Sequence, residues 1–319
     1  VSHFIGGVKM KRTSVALFCV FFAFAASAGE PPHWAYPISV EKPIAPGADA
    51  PGTVQVPGSA RSYTYEQIDD LLNPPDWFPD SHAPAPNVVM KGAGKTVLAC
   101  GACHLMSGMG HPESSHLAGL SKEYILRQLA DFKRGTRKDP TRMNGIARDL
   151  SDEDAEQAAA WFAALKPIAW TKVVETDAVP KSYIGKGRMR FAEDGGGSEA
   201  IGSRIIELPQ DPVNAARRDP RSGFIAYVPK GSIARGEALV KSGGGKTAPC
   251  GVCHGLQWKG MGDAPPITGF SPLYLFRQLH SVQTGARGGP SAGMMQSVVA
   301  RLDESDMIAI AAYLGSLAP

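Results

Sequence analysis

The chain has few cysteines, no excess charge of either sign and, past its first residues, no long apolar run. Five cysteines stand among 319 residues, at 19, 100, 103, 250 and 253. The last four could make two disulfides in an oxidising compartment, but their spacing says otherwise. Lys plus Arg number 33 against 30 for Asp plus Glu, and so even a balance argues against a strongly basic nucleic-acid binder. Beyond residue 28 nothing approaches the roughly 20 consecutive apolar residues that span a bilayer. Glycine and proline, by contrast, are plentiful at 36 and 26. They exclude a helical bundle or coiled coil and predict long loops. With 43% hydrophobic and 20% charged residues most of the chain can fold, and its length is that of two ordinary domains.

The first residues read as an export signal. Met10-Lys11-Arg12 is a short basic region, Val15 to Ala25 is almost wholly apolar, and Ala26-Ser27-Ala28 offers small residues for cleavage after Ala28. Val1 to Lys9 reads as an upstream extension of a signal headed by Met10. Phe18 before Cys19 lacks the small side chain a lipoprotein signal needs. Removing 1–28 takes away Lys9, Lys11 and Arg12 and no acid, leaving 30 basic against 30 acidic residues. An uncleaved anchor is the alternative, but the apolar run falls short of the roughly 20 apolar residues that span a bilayer, so the mature chain is expected in a periplasm, with no transmembrane segment and four cysteines.

Those four form two copies of one motif, Cys100-Gly101-Ala102-Cys103-His104 and Cys250-Gly251-Val252-Cys253-His254. Cys-x-x-Cys-His attaches c-type haem. The two thiols form thioethers with the haem vinyl groups, and the adjoining histidine ligates iron from below. A thioredoxin-like pair does not ask for the histidine. Two pairs could pool four thiolates on zinc, but the histidine after each and the 150-residue separation argue against it. Two covalent haems c are therefore expected, on Cys100, Cys103, Cys250 and Cys253, with His104 and His254 on iron.

The motifs sit in a longer repeat. At an offset of 150, Ser121, Tyr124, Arg127, Gln128, Leu129, Gly135 and Arg137 match Ser271, Tyr274, Arg277, Gln278, Leu279, Gly285 and Arg287. At an offset of 152, Met143, Ala147, Leu150, Asp154, Ala160 and Leu165 match Met295, Val299, Leu302, Asp306, Ala312 and Leu317. Each half reads as a haem helix, a loop, a helix, a Met-bearing loop and a last helix. Ser121 is placed to cap the middle helix, with Glu123 in its first turn. Ser151-Asp152-Glu153-Asp154 opens the last helix of the first half, and Pro167 stops it.

On these residues the chain resembles the dihaem class I cytochromes c of the cytochrome c-four type. The likeness is carried by both Cys-x-x-Cys-His motifs, Leu117-Ala118-Gly119 with Ser121 and Tyr124, Arg127-Gln128-Leu129, Phe132 to Arg137, and Met143 to Asp154. The resemblance implies a mainly α fold of two class I cytochrome c domains in tandem, His/Met ligation and electron transfer. Met143 and Met295 fall where the family has its distal ligand. Met294 rivals Met295, and His111 and His116 rival Met143. Met106, Met109 and Met261 lie too near the proximal histidines in sequence, and His33, His82 and His280 read as ordinary histidines. The family's loop after the haem helix has a proline whose carbonyl orients the proximal imidazole. Pro265 fits this, two residues before Ile267. Ser115 replaces it before Leu117, which leaves another carbonyl to serve His104 and sets the two potentials apart.

The domains are expected at 85–167 and 230–319. A Pro- and aromatic-rich N-terminal extension covers 29–84, with a short helix over Tyr65 to Leu72. Residues 168–229 read as a β-rich insert. There Lys181 to Phe191 and Ile201 to Leu208 flank Glu193 to Gly197 as a hairpin, with Phe224 to Val228 a third strand. Gly94-Lys95-Thr96 and Gly245-Lys246-Thr247 fail the phosphate-loop pattern, because Val89 and Val240 stand where it needs glycine. The expected function is electron carriage between redox proteins, such as a dehydrogenase, a quinol-oxidising complex or a terminal oxidase. The runner-up is a dihaem oxidoreductase, thiosulfate dehydrogenase-like or peroxidase-like, which needs an open or displaceable iron position.

Overall fold

The computed structural model describes residues 1–3, 31–43, 45–48, 51–139 and 141–319. The expected export segment, with Cys19 and the cleavage position after Ala28, lies outside the described residues. Val1–Glu30 and Pro31–Pro319 separate as two units, and every described element belongs to the second.

That unit opens with strand β1 (Thr53–Val54) paired antiparallel to β2 (Tyr63–Thr64), then helices α1 (Tyr65–Asp69) and α2 (Asn87–Met90). Thr64 and Gln67 cap α1 reciprocally, and the predicted helix ends at Asp69, three residues short of Leu72. The extension wraps the rest of the unit, anchored by its aromatics. Trp77 is fully buried, edge-on to Tyr63 at 4.8 Å, with its Nε1 donating to the Arg217 carbonyl at 2.9 Å. Further upstream Trp34 packs on Phe276 at 4.6 Å.

The first haem motif forms α3 (Cys100–His104), followed by α4 (Lys122–Arg134), α5 (Met143–Asp149) and α6 (Asp152–Ala164). Ser121 caps α4 by accepting from the Tyr124 N–H at 3.1 Å, and Ser151 caps α6 from the Asp154 N–H at 3.1 Å. Gly135 ends α4 in the left-handed region, at φ 74°, where a residue without Cβ carries no penalty.

Between the halves lie β3 (Thr171–Thr176), β4 (Ala178–Pro180), β5 (Ser182–Ile184), β6 (Arg190–Ala192), β7 (Ser198–Ala200), β8 (Ile206–Pro209), helix α7 (Pro212–Ala216) and β9 (Phe224–Pro229). The hairpin expected from the sequence is displaced. The run Lys181 to Phe191 turns back on itself at Gly185–Met189, so β5 pairs with β6 and, further out, β4 with β7. Gly187, at φ 72°, makes that reversal possible. The Gly195–Gly197 segment lies within the return arm between β6 and β7. The Ile201 to Leu208 run contributes β8, which pairs antiparallel with β9, while β3 lies parallel on the other side of β9.

The second half supplies α8 (Ser232–Ser242), α9 (Gly251–His254), α10 (Pro272–Gln283), α11 (Gly293–Val299) and α12 (Glu304–Ser316). Ser271 caps α10 and Asp303 caps α12, matching the first half. Helix α12 is apolar on nearly every side and buried throughout Asp306 to Gly315. Such a helix needs cover all round, and α8, α10 and β3 provide it. Helices α8 and α12 approach so closely that a Cβ on Gly236 would collide with the Ala309 carbonyl oxygen. Val228 of β9 and residues of both halves share one continuous core. A second cluster joins Leu105, Met109 and Ala118, behind the first haem motif, to Trp170, Phe191 and Phe224 of the intervening segment.

Candidate functional site

Each haem motif lies on a short helix that ends at its histidine, and the next residue is left-handed: Leu105 at φ 60° and Gly255 at φ 81°. The chain then turns back beneath the histidine. His104 Nδ1 donates to the Ser115 carbonyl at 2.8 Å, and His254 Nδ1 donates to the Pro265 carbonyl at 2.7 Å. This corrects the expectation that losing the proline leaves another carbonyl to serve His104. Ser115 itself keeps the role, because every residue carries a carbonyl and the loop path is retained. Burial holds both imidazoles below their ordinary pKa, opposed by these backbone bonds, with Arg137 and Arg287 respectively pushing the same way as burial. Both are thus neutral, with Nε2 the nitrogen left for a metal.

Burial pushes the Cys100 thiol up to about 12 and the Cys250 thiol up to about 11. A redox-active Cys-x-x-Cys depends on the opposite, a depressed thiol pKa. Among the described residues, no three His, Cys, Asp or Glu side chains converge to hold a metal ion.

Cys100, Cys103, His104 and Met143 line one cavity of about 220 Å³. Ile146, Leu150 and Phe162 add apolar wall, and Tyr36, Ile38 and Arg188 reach it from the extension and the intervening segment. Met143 is held at the start of α5 by two residues that the sequence reading overlooked. The Asp139 carboxylate accepts from the N–H groups of Thr141 at 3.0 Å and Met143 at 2.9 Å, and also from that of Arg142. Asn144 Nδ2 donates to the carbonyls of Phe132 at 2.7 Å and Arg137 at 2.8 Å. The local signal was an acid placed to cap the next helical turn.

The rival histidines are not among the residues lining that cavity. His116 stacks on Phe270 at 4.4 Å, with Nε2 donating to the Ala118 carbonyl at 2.8 Å. His111 lines a separate small cavity with Trp170 and Arg218. Burial pushes His116 down to about 4 and His111 to about 3. His82 lies 3.3 Å from Asp76 and against Trp161, His280 is bonded to Tyr36, and His33 is exposed.

The second set is more open. Cys253 is exposed, His254 is buried, and Cys250 and Met295 pack partly buried against the shared core. Met294 points outward, 76% exposed, and Met261 is also exposed.

Between the two sets the repeat pairs with itself. Arg137 and Arg287 form an antiparallel bridge, flanked by Lys138 N–H to Ala286 O and Gly288 N–H to Thr136 O, both 2.7 Å. Arg137 donates to Gln128 Oε1 at 2.7 Å and Gln278 Oε1 at 2.9 Å. Arg287 donates to Gln278 at 3.0 Å, Gln128 at 3.1 Å and the Tyr124 hydroxyl at 2.6 Å. Neither guanidinium has a carboxylate among these partners, although both line the first cavity.

The cytochrome c family model matches residues 233–318. Among curated relatives, a thiosulfate dehydrogenase electron acceptor of Thiomonas intermedia is 26% identical over 68% of this chain and 78% of its own. Cytochrome c4 of Pseudomonas aeruginosa is 27% identical over 68% of this chain and 83% of its own. Cytochrome c-554(547) of Halothiobacillus neapolitanus is 31% identical over 27% of this chain and 98% of its own.

Proposed function

Since this chain belongs to the cytochrome c family and is a dihaem cytochrome of the c4 type, we propose that it is an exported electron carrier with His104 and Met143 on one iron and His254 and Met295 on the other. The haem domains are 85–167 and 230–319, with 168–229 between them.

The observation that carries this reading is the first cavity, where two thiols, a neutral imidazole and a thioether line one apolar-walled space. That donor set fits haem c. Bound haem supplies the one-electron couple of its iron, and a thioether opposite histidine favours the ferrous form. The chain does the rest. Cys100, Cys103, Cys250 and Cys253 tether the group, while the Ser115 and Pro265 carbonyls fix the tautomer and orientation of the two imidazoles. Asp139 and Asn144 hold the segment that presents Met143. Arg137 is buried and Arg287 partly buried, and among the described residues neither forms an ion pair, a costly arrangement for a cation that suits the carboxylate groups at a haem edge. The same seam joins the two halves, so it offers a short route between sites. A methionine at each distal position favours a carrier over an oxidoreductase, which needs an accessible iron. Two relatives named as electron acceptors of thiosulfate dehydrogenase make a dehydrogenase the first electron donor to try.

Mass spectrometry of the exported protein tests the attachment. Two haem additions are expected, one on the Cys100–Cys103 peptide and one on the Cys250–Cys253 peptide. Met143→Ala and Met295→Ala should each remove one sulfur–iron charge-transfer contribution and open one ferrous iron to carbon monoxide, with both haems still attached. A single haem addition, or a high-spin haem in the unaltered protein, refutes the carrier reading.

A further inference from the structure

The halves also grip one another through the loops beneath the two proximal histidines. In the first half that loop runs Pro112-Glu113-Ser114-Ser115, and its last carbonyl receives His104. Arg277, on α10 of the second half, donates Nη1 to Glu113 Oε2 at 2.6 Å and Nη2 to the Pro112 carbonyl oxygen. The reciprocal contact is present. Arg127, at the matching place on α4, donates Nη1 to Asp263 Oδ1 at 2.7 Å and Nη2 to the Asp263 carbonyl at 2.9 Å. Glu113 and Asp263 match in the repeat, each two residues before the carbonyl that receives an imidazole.

Two differences make the clamps unequal. At the first loop the side chains of Arg277 and Glu113 are 13% and 6% exposed, whereas Arg127 and Asp263 are 29% and 83% exposed. Water and salt screen the exposed pair to little effect, while breaking a buried pair strands a charge. The loops also differ in stiffness. Pro265-Pro266 fixes two φ angles in the second loop, and Ser115-His116, at the matching places, fixes none in the first. Where the Pro-Pro pair at the accepting carbonyl is absent, the buried clamp is present.

We propose that Arg277 is a positioning residue for the first haem: through Glu113 and Pro112 it holds the Ser115 carbonyl on His104 Nδ1, so that the second half sets the imidazole of the first. This rests on the reading of His104 as an iron ligand. A firm Nδ1 hydrogen bond makes the imidazole a stronger donor to iron. Loosening it should therefore raise the first haem's potential.

The test uses the full-length holoprotein, with proton NMR of the ferric haem methyls and a redox titration. Signals of the first haem are those altered by Met143→Ala. Arg277→Met should move those signals and raise that potential, leaving the second haem unchanged. Arg127→Met should shift the second haem far less, because proline holds that loop. The pair Glu113→Gln with Arg277→Met removes the stranded carboxylate, so thermal stability should recover while the shift persists. If Arg277→Met does not fold, Glu113→Gln alone should move the same signals in the same direction. First-haem signals and potential unmoved, with both haems attached, overturn the proposal alone. So does a shift that vanishes in the double variant as stability returns, since Arg277 would then be only structural. Absence of haem from the Cys100–Cys103 peptide, or of His104 from the iron, overturns the underlying reading as well.

Discussion

Replacing Asp139 by alanine should loosen the segment that presents Met143 and leave the second haem alone. The carboxylate accepts from the Thr141 hydroxyl at 2.8 Å and from the N–H groups of Thr141 and Met143 at 3.0 and 2.9 Å, besides that of Arg142. A capping side chain contributes about 0.5–2 kcal/mol, and a hydrogen bond to a charged group about 1.5–3 kcal/mol. For a half-buried acid serving a single turn, a total of about 2 kcal/mol follows. At about 1.4 kcal/mol per factor of ten, the fraction of molecules with Met143 detached should rise about 25-fold. Carbon monoxide binding to the ferrous protein, followed by stopped flow, reads this directly if entry requires detachment. The first haem should bind faster by that factor. The second should not change, since Gly289 and Ser291 stand at the positions corresponding to Asp139. Burial pushes the Asp139 pKa up, but its backbone and hydroxyl donors outweigh burial and hold it below the ordinary aspartate value. Its contribution is therefore complete above about pH 3.9. It is lost as pH falls through the lowered folded value, where the native binding rate should approach that of the variant. An unchanged rate at the first haem, or equal acceleration at both, would refute the reasoning.

Gly236→Ala should destabilise the protein by about 1–3 kcal/mol through the α8–α12 crossing, whereas Gly145→Ala, on open helix surface with nothing nearby, should stabilise it by about 0.5–1 kcal/mol; calorimetry that ranks them the other way contradicts the packing argument. Glu207 is buried on β8, where it accepts from the Leu273 N–H at 2.9 Å and the Ser271 hydroxyl at 2.8 Å, and burial pushes its pKa up to about 7 despite both. The fold thus binds its proton more tightly than the unfolded chain. Stability should fall as pH rises from about 4.3, the unfolded value, to about 7, and Glu207→Gln should remove that fall. Denaturant midpoints at pH 5 and pH 8 check it, and equal slopes in the two proteins would count against the buried charge.

Cysteine spacing, the repeat and the helix caps were legible because each is a local pattern. Cys-x-x-Cys-His fits one helical turn, and Ser121, Ser151 and Ser271 cap helices through bonds three residues long. Repeat register favoured Met295 over its rival Met294, and the structure has Met295 partly buried against the core and Met294 76% exposed. The hairpin misled for a local reason. Alternation in Lys181 to Phe191 looks like one strand, and only pairing partners reveal the reversal at Gly187. Other features left no local trace. Ser115 shows a side chain to the sequence, but the atom that serves His104 is a backbone carbonyl, which every residue has. Arg277 reaches Glu113 across 164 residues and Arg127 reaches Asp263 across 136. The sequence by itself determined where the two Cys-x-x-Cys-His motifs lie, that there are two of them, and which helices frame each, because such motifs and hydrogen bonds within one turn need only neighbouring residues. Only the tertiary structure decided which carbonyl holds each histidine, which clamp is buried and how the halves share a seam, because those depend on distances that folding closes between residues far apart in the chain.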